Sequence, residues 1–233
     1  MRRLLFSLLI ILFSLQLNAQ GVGFGYQMDI GAKNRFNVPE GYDQNMQSMM
    51  HGVFVRWFSN EGRQAHQLYM GLRFDSIGFK NYSSYLNMET HTLENYDVHA
   101  YLNRFAWRMG YLKHHQFGGT PGEFVVSFNY GLFYEFTSQM KRKSHQDNLV
   151  YKLYSEQNRH NLIFATGIEC RFWYFTLGYK FEHMFFDMIN HDYVKKLESE
   201  PGNGSELRGL QLSPTMSFIY FTIHFDLFKN EYF

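Results

Sequence analysis

His224 and Asp226 stand two residues apart in the stretch Met216–Leu227, so on an extended strand they share a face with their Cβ atoms as neighbours. A histidine oriented by a carboxylate can move protons in hydrolysis or acyl transfer. A second set able to do the same chemistry is His51, His99, Asp187, His191 and Asp192. No serine motif and no His-Glu-x-x-His spacing accompanies either set, so no nucleophile or zinc centre is legible. The expectation is a non-enzyme with no cofactor and no metal. His224 and Asp226 belong to a wider series of charges that recur at alternate positions: Asp29, Arg56, Arg73, Asp75, Glu135, Glu169, Arg171, Lys180 and Glu182, with Arg104 and Arg108 added if the phase of their segment holds. Both signs are present in similar number. The reading is a self-neutralising network that plugs an interior, since charges taken out of water must be paired. His114-His115 reads as a polar turn and Lys141-Arg142-Lys143 as a solvated loop tip. Cys170, the one cysteine, reads as a small hydrophobe and leaves no internal disulfide.

What must hold these charges is a set of two-faced strands. In the last, Ile219, Phe221, Ile223, Phe225 and Leu227 oppose Tyr220, Thr222, His224 and Asp226. The first, Gln20–Gly31, sets Val22, Phe24, Tyr26, Met28 and Ile30 against Gly21, Gly23, Gly25, Gln27 and Asp29. Similar alternation predicts strands at Gly52–Phe58, about Gln67–Lys80, about Tyr96–Tyr111, Glu123–Thr137, about His160–Phe172 and Phe175–Phe185. The segment Tyr96–Tyr111 keeps one apolar face only if a β-bulge switches its phase near Asn103. Long polar connections are expected near residues 32–50, 81–95, 138–158 and 189–211, and shorter ones near 59–65, 112–122 and 173. The four prolines avoid the strand interiors.

The total is eight strands joined by alternating long and short links, which predicts an eight-stranded antiparallel up-and-down transmembrane β-barrel. A soluble lipocalin-like barrel is the competing reading, with its apolar face turned inward. Glycines cluster on the charged face and large aromatics on the other, and an eight-stranded interior holds side chains but no wide channel. The Phe/Tyr face is therefore expected outside, against lipid. Aromatics make up 19% of the chain, which suits strands and membrane belts. The net charge of +1 gives no footprint for nucleic acid. Residues 1–19 read as a signal peptide: Arg2 and Arg3, a short apolar core from Leu4 to Leu15, and Leu17-Asn18-Ala19 before cleavage after Ala19. Residues 20–233 are then the barrel domain.

With these features the chain resembles the small outer-membrane β-barrel proteins of Bacteroidota. The resemblance rests on Asn18-Ala19-Gln20, the strand Gly21-Val22-Gly23-Phe24-Gly25, the repeated strand–Gly–aromatic pattern and the final amphipathic strand. The aromatic end, Phe225-Asp226-Leu227-Phe228 or Tyr232-Phe233, is similar to the signal read by the barrel-assembly machinery. Size and layout also resemble the PorT-type barrel of the type IX secretion and gliding system. The resemblance implies an outer-membrane location, surrounding lipid, the assembly machinery and an envelope protein complex as partners, and a structural or assembly role. Two other roles stay open at this point: an adhesin or ligand-binding barrel acting through Gln139–Gln157 and Asn190–Leu210, and a hydrolase or acyltransferase at the barrel mouth.

Overall fold

The computed structural model describes residues 21–34, 42–43, 48–61, 63–87, 92–120, 124–144, 150–153, 157–187, 189–193, 195 and 215–229. The expected signal peptide, its cleavage site and Tyr232-Phe233 lie outside these residues. The strands are β1 (Gly21–Asn34), β2 (Tyr42–Asp43), β3 (Ser48–Glu61), β4 (Gln64–Asn87), β5 (Thr92–Thr120), β6 (Phe124–Ser144), β7 (Val150–Leu153), β8 (His160–Phe172), β9 (Phe175–Met184) and β10 (Thr215–Lys229).

Eight of them close a ring. β1 pairs with β3, β3 with β4, β4 with β5, β5 with β6, β6 with β8, β8 with β9, β9 with β10, and β10 with β1, every pair antiparallel. β2 adds to the margin of β4 and β7 to that of β6. Each barrel strand neighbours the one before it, so the fold is an up-and-down barrel with no open edge through its wall. Following the partners of Gly21 around the ring, through Phe58, Gln67, Leu112, Gly131, Ala165, Glu182 and Met216, returns to β1 at Asn34. That stagger is the strand tilt a closed barrel requires.

The wall obeys the period of two. On β8 and β9 buried and exposed positions alternate along nearly the whole length. Outside stand Phe24, Tyr26, Val53, Val55, Phe74, Trp107, Phe128, Leu132, Leu162, Ile168, Leu177, Ile219 and Phe225, all exposed. Inside stand the charges. An apolar exterior over a polar interior is the pattern of a membrane barrel, and it is the reverse of a lipocalin-like barrel. Phe117, Phe172, Trp173 and Tyr174 mark the end with short turns, and Phe185 and Phe186 the opposite end. These are the levels where aromatic belts meet lipid headgroups. Trp173, in the two-residue reversal between β8 and β9, has φ = 44°, a left-handed conformation uncommon for so bulky a residue.

Four expectations are corrected. First, the strands near the loop end are longer than their polar sequences suggest. Residues expected as a loop over 81–95 form a hairpin, with Asn81↔Val98 through Asn87↔Thr92 paired. Part of the expected loop Gln139–Gln157 is strand too: Lys141, Arg142 and Lys143 pair with β5 on one side and β7 on the other. A pairing strand satisfies backbone groups whatever the side chains are, so polarity alone does not end it. Second, β5 runs on to Thr120, through the expected turn at 112–122. His114-His115 is therefore strand. Third, no irregularity interrupts β5 at Asn103. The bulge sits on the adjacent strand: Phe105 pairs with Gln139 and Ala106 with Thr137, leaving Ser138 as the extra residue. Its hydroxyl donates to Phe105 O at 3.2 Å. The bulge flips the phase of β6, so Glu135 and Thr137 point inward before it and Met140 after it. Arg104, Ala106 and Arg108 stay on one inward row.

Fourth, the interior is not filled by glycines and ion pairs alone. Phe54, Phe133, Phe218 and Tyr220 are buried inside, and inward glycines make room for them. A Cβ on Gly110 would lie 2.7 Å from Phe133 Cγ and 2.5 Å from Leu132 O. Gly110→Ala is therefore expected to cost about 1–3 kcal/mol as an overpacked interior. The check is the temperature at which the folded, fast-migrating gel band disappears, which should fall relative to the parent.

Candidate functional site

The charged residues gather in the lumen in three tiers. At the loop end, Asp75 takes Arg73 Nε at 2.7 Å on one oxygen and Arg104 Nε at 2.8 Å on the other. Arg104 reaches on to Glu135 Oε1 at 2.5 Å. Arg73 spans from Asp75 to Glu182, with Nη1 2.9 Å from Oε2. Arg108 grips Glu182 with both Nη atoms, at 2.7 and 3.1 Å. This two-point grip fixes orientation as well as charge. These side chains come from β4, β5, β6 and β9, so the network ties opposite walls of the barrel together. Arg108 also lies 4.0 Å from the centre of the Phe133 ring, a cation–π contact.

The middle tier centres on Glu169 of β8. It accepts from Tyr220 OH at 2.6 Å, Asn129 Nδ2 at 3.1 Å and Ser127 Oγ at 3.2 Å. His114 Nδ1 lies 3.0 Å and Arg171 Nη2 3.6 Å away. His114 Nε2 is 3.0 Å from Gln67 Oε1. Beside this tier Asp29 accepts from Gln27 at 2.7 Å, and the Lys180 ammonium rests 4.5 Å from the Tyr220 ring centre. The third tier, toward the turn end, is Arg56 Nη2 on Asp226 Oδ1 at 2.7 Å.

The signs balance: Arg56, Arg73, Arg104, Arg108, Arg171 and Lys180 against Asp29, Asp75, Glu135, Glu169, Glu182 and Asp226. Above the charges, Met50, Met140, Ile163, Met184, Met216 and Phe218 are buried and close the loop end with apolar bulk. The Arg73 guanidinium touches the Met50 sulfur. The arrangement can seal the lumen and lock the wall. A wide aqueous path through it would require several ion pairs to part.

The histidine–carboxylate pairs fare differently. Asp226 is engaged by Arg56. His224 is buried and makes no hydrogen bond to Asp226, so the pair suggested by their spacing does not form. His51 faces outward, its Nδ1 2.6 Å from Tyr26 OH. The side chain of His99 lies outside the described residues. Asp187 and His191 do meet, Oδ2 to Nε2 at 2.8 Å. The other Asp187 oxygen accepts from Ile189 N at 2.9 Å, and Asn190 Oδ1 accepts from Tyr193 N at 3.2 Å. These are hydrogen bonds that shape a turn. Asp192 is exposed beside them. Cys170 is half-buried on the outer face. Among the described residues no group of His, Cys, Asp and Glu has the makings of a metal site.

Sequence reasoning overlooked His114, which it placed in a turn, and Phe133, an apolar residue on the polar row of β6. The continuing alternation through residues 112 and 114, both buried, was the signal available for His114.

No family model matches the chain, and no curated protein matches it. Among solved structures, the translocator domain of the autotransporter NalP from Neisseria meningitidis is similar at 9% identity over 96% of this chain and 94% of that one, with a TM-score of 0.29. The beta domain of the Bordetella autotransporter Brka is similar at 8% identity over 88% of this chain and 99% of that one, with a TM-score of 0.27. Likeness of this size carries no argument about what the chain does.

Proposed function

We propose that the protein is an integral outer-membrane barrel with a structural or assembly role, working through its loops and envelope partners, and that this role lies in protein secretion of the PorT type. The filled lumen is the observation that supports this reading. Three arginines and three carboxylates interlock across it, and methionines and Phe218 close it toward the loops. A barrel so plugged offers its surroundings a wall and two rims. In this reading residues 1–19 direct export and are removed, the barrel-assembly machinery inserts the chain, and the short turns face the periplasm while the long connections face outward. The role is non-catalytic. Asp187 and His191, the pair that does meet at the loop end, are engaged in shaping a turn.

The test is purification of the tagged full-length chain from its own cells after mild crosslinking. Envelope proteins in fixed ratio are the expected result, together with loss of secreted proteins from the medium when the gene is deleted. Recovery as a lone species with secretion intact would overturn the proposal.

A second reading, ligand binding at the cell surface, draws support from the β4–β5 hairpin. Among the described residues, β5 from Thr92 to His99 pairs with β4 alone, and this hairpin continues past the described β5–β6 ladder. Shortening it together with Gln139–Gln157 and Asn190–Leu210 should then abolish surface binding. Binding that survives the shortening rejects the idea.

A further inference from the structure

We propose that the outer wall carries a seat for one anionic lipid, with its phosphate beside Lys141 and an acyl chain laid down the wall across β3, β4 and β5, resting on the reading above that this wall faces a bilayer. An open hollow of about 690 Å³ indents the outside of the barrel toward the loops, and a second of about 680 Å³ indents it nearer the turns. On three neighbouring strands they are one outward step apart: His51 to Val53 on β3, Phe74 to Leu72 on β4, and Phe105 to Trp107 on β5. The steps are in register. Phe74 pairs with His51 on one side and Phe105 on the other, and Leu72 pairs with Val53 and Trp107. The two hollows therefore form one trough that runs from the loop end down toward the turns.

The chemistry of the trough changes along its length. In the lower part the short side chains of Val53 and Val55 lie between Tyr26 and Phe24 on one flank and Leu72 and Met70 on the other. In the upper part the Phe74 and Phe105 rings pack with their centres 4.7 Å apart and make an apolar slab. One outward step further toward the loops the wall turns polar on three strands at once. Ser76 pairs with Asn103, Asn103 pairs with Lys141, and Gln139 stands opposite Phe105. All four polar residues line the upper hollow. Asp75 and Arg104 border it from the inward row, but both Asp75 oxygens are taken, by Arg73 and by Arg104. Asp75 is the one carboxylate in that lining, so the acceptor that suits Lys141 must come from outside the hollow. A phosphate fits an ammonium ringed by amide and hydroxyl donors. A lysine at the top of an apolar wall sits where headgroups lie and draws anionic lipid. Free phosphate would use the rim alone, whereas the trough beneath it suits a ligand with a chain.

The test uses Trp107, which lies exposed in the trough, as its reporter. The full chain carrying Trp57→Phe and Trp173→Phe keeps Trp107 as its only tryptophan. It is refolded into phosphatidylcholine vesicles that contain a minor fraction of phosphatidylglycerol with brominated chains, since bromine quenches a tryptophan it touches. Half-maximal quenching is expected at a fraction about fivefold lower than with brominated phosphatidylcholine, the preference that one lysine confers at an anionic headgroup. Lys141→Gln changes a half-buried side chain on the outer face, clear of the lumenal ion pairs, and should remove most of that preference. Val53→Phe fills the trough below the rim and should do the same with Lys141 intact. Free glycerol phosphate in excess should leave the preference standing. Equal quenching by the two lipids, a preference unchanged in both variants, or its loss to glycerol phosphate overturns the seat while leaving the wall in contact with lipid. No quenching by either lipid overturns the lipid-facing reading of the wall as well.

Discussion

Glu182→Leu is expected to lower the unfolding free energy of the barrel by about 3–5 kcal/mol, the range for removing one partner from a buried ion pair. Glu182 is fully buried and is the shared acceptor of Arg73 and Arg108. Arg73 would keep Asp75, but Arg108 would be left with the Phe133 ring and no carboxylate within bonding distance among the described residues. Adding Arg108→Leu to Glu182→Leu takes away the stranded charge and puts apolar bulk beside Phe133. The double variant should therefore be more stable than Glu182→Leu alone, which a simple sum of contacts forbids. Urea titration of the vesicle-embedded protein, followed by tryptophan fluorescence and gel migration, reads both quantities. A single-variant loss below about 1 kcal/mol, the scale of an exposed pair, would show that the tier is hydrated and open.

Leu132→Arg is expected to cost about 2–4 kcal/mol, as a cation on the lipid face near the middle of a membrane barrel does. Leu132 lies in the middle of β6, points outward and is exposed among Tyr130, Tyr134 and Phe164. Phe117→Arg serves as the internal control. Phe117 also faces outward, but near the short turns, where the expected cost is about 0–1 kcal/mol because the side chain reaches the headgroups. A water-soluble barrel would show the opposite preference and gain solubility from Leu132→Arg. Equal costs at the two positions would refute the assignment of the outer wall to lipid.

The barrel was legible because its alternation is local. β8 and β9 read correctly to within a residue or so at each end, since every second side chain is visibly of one kind. The same rule placed Arg73, Asp75, Glu169 and Glu182 on one face without any knowledge of partners. Which charge meets which was not legible, because it depends on the stagger between strands far apart in sequence. Arg73 and Glu182 are 109 residues apart. Ser138 was equally hidden: a bulge residue has no side-chain signature when it is small and polar between polar neighbours. The hairpin beyond Gly78 misled for a different reason. Once strands leave the bilayer both faces are wet, the apolar–polar contrast fades, and backbone pairing continues unannounced.

The seam between β1 and β10 also sets the order of events when the barrel forms. Seven of the eight wall contacts join strands that follow one another in the ring and along the chain, and they can zip as hairpins. The eighth pairs Gly21 with Lys229 and cannot begin until nearly everything between them is in place. Contacts of such sequence separation are the slow ones. Until that moment the nascent sheet carries two unpaired margins, each able to recruit a neighbouring chain. Closure is thus the step at which a shielding factor would act, and the rate at which this last ladder zips would govern how much of the protein is lost to aggregation.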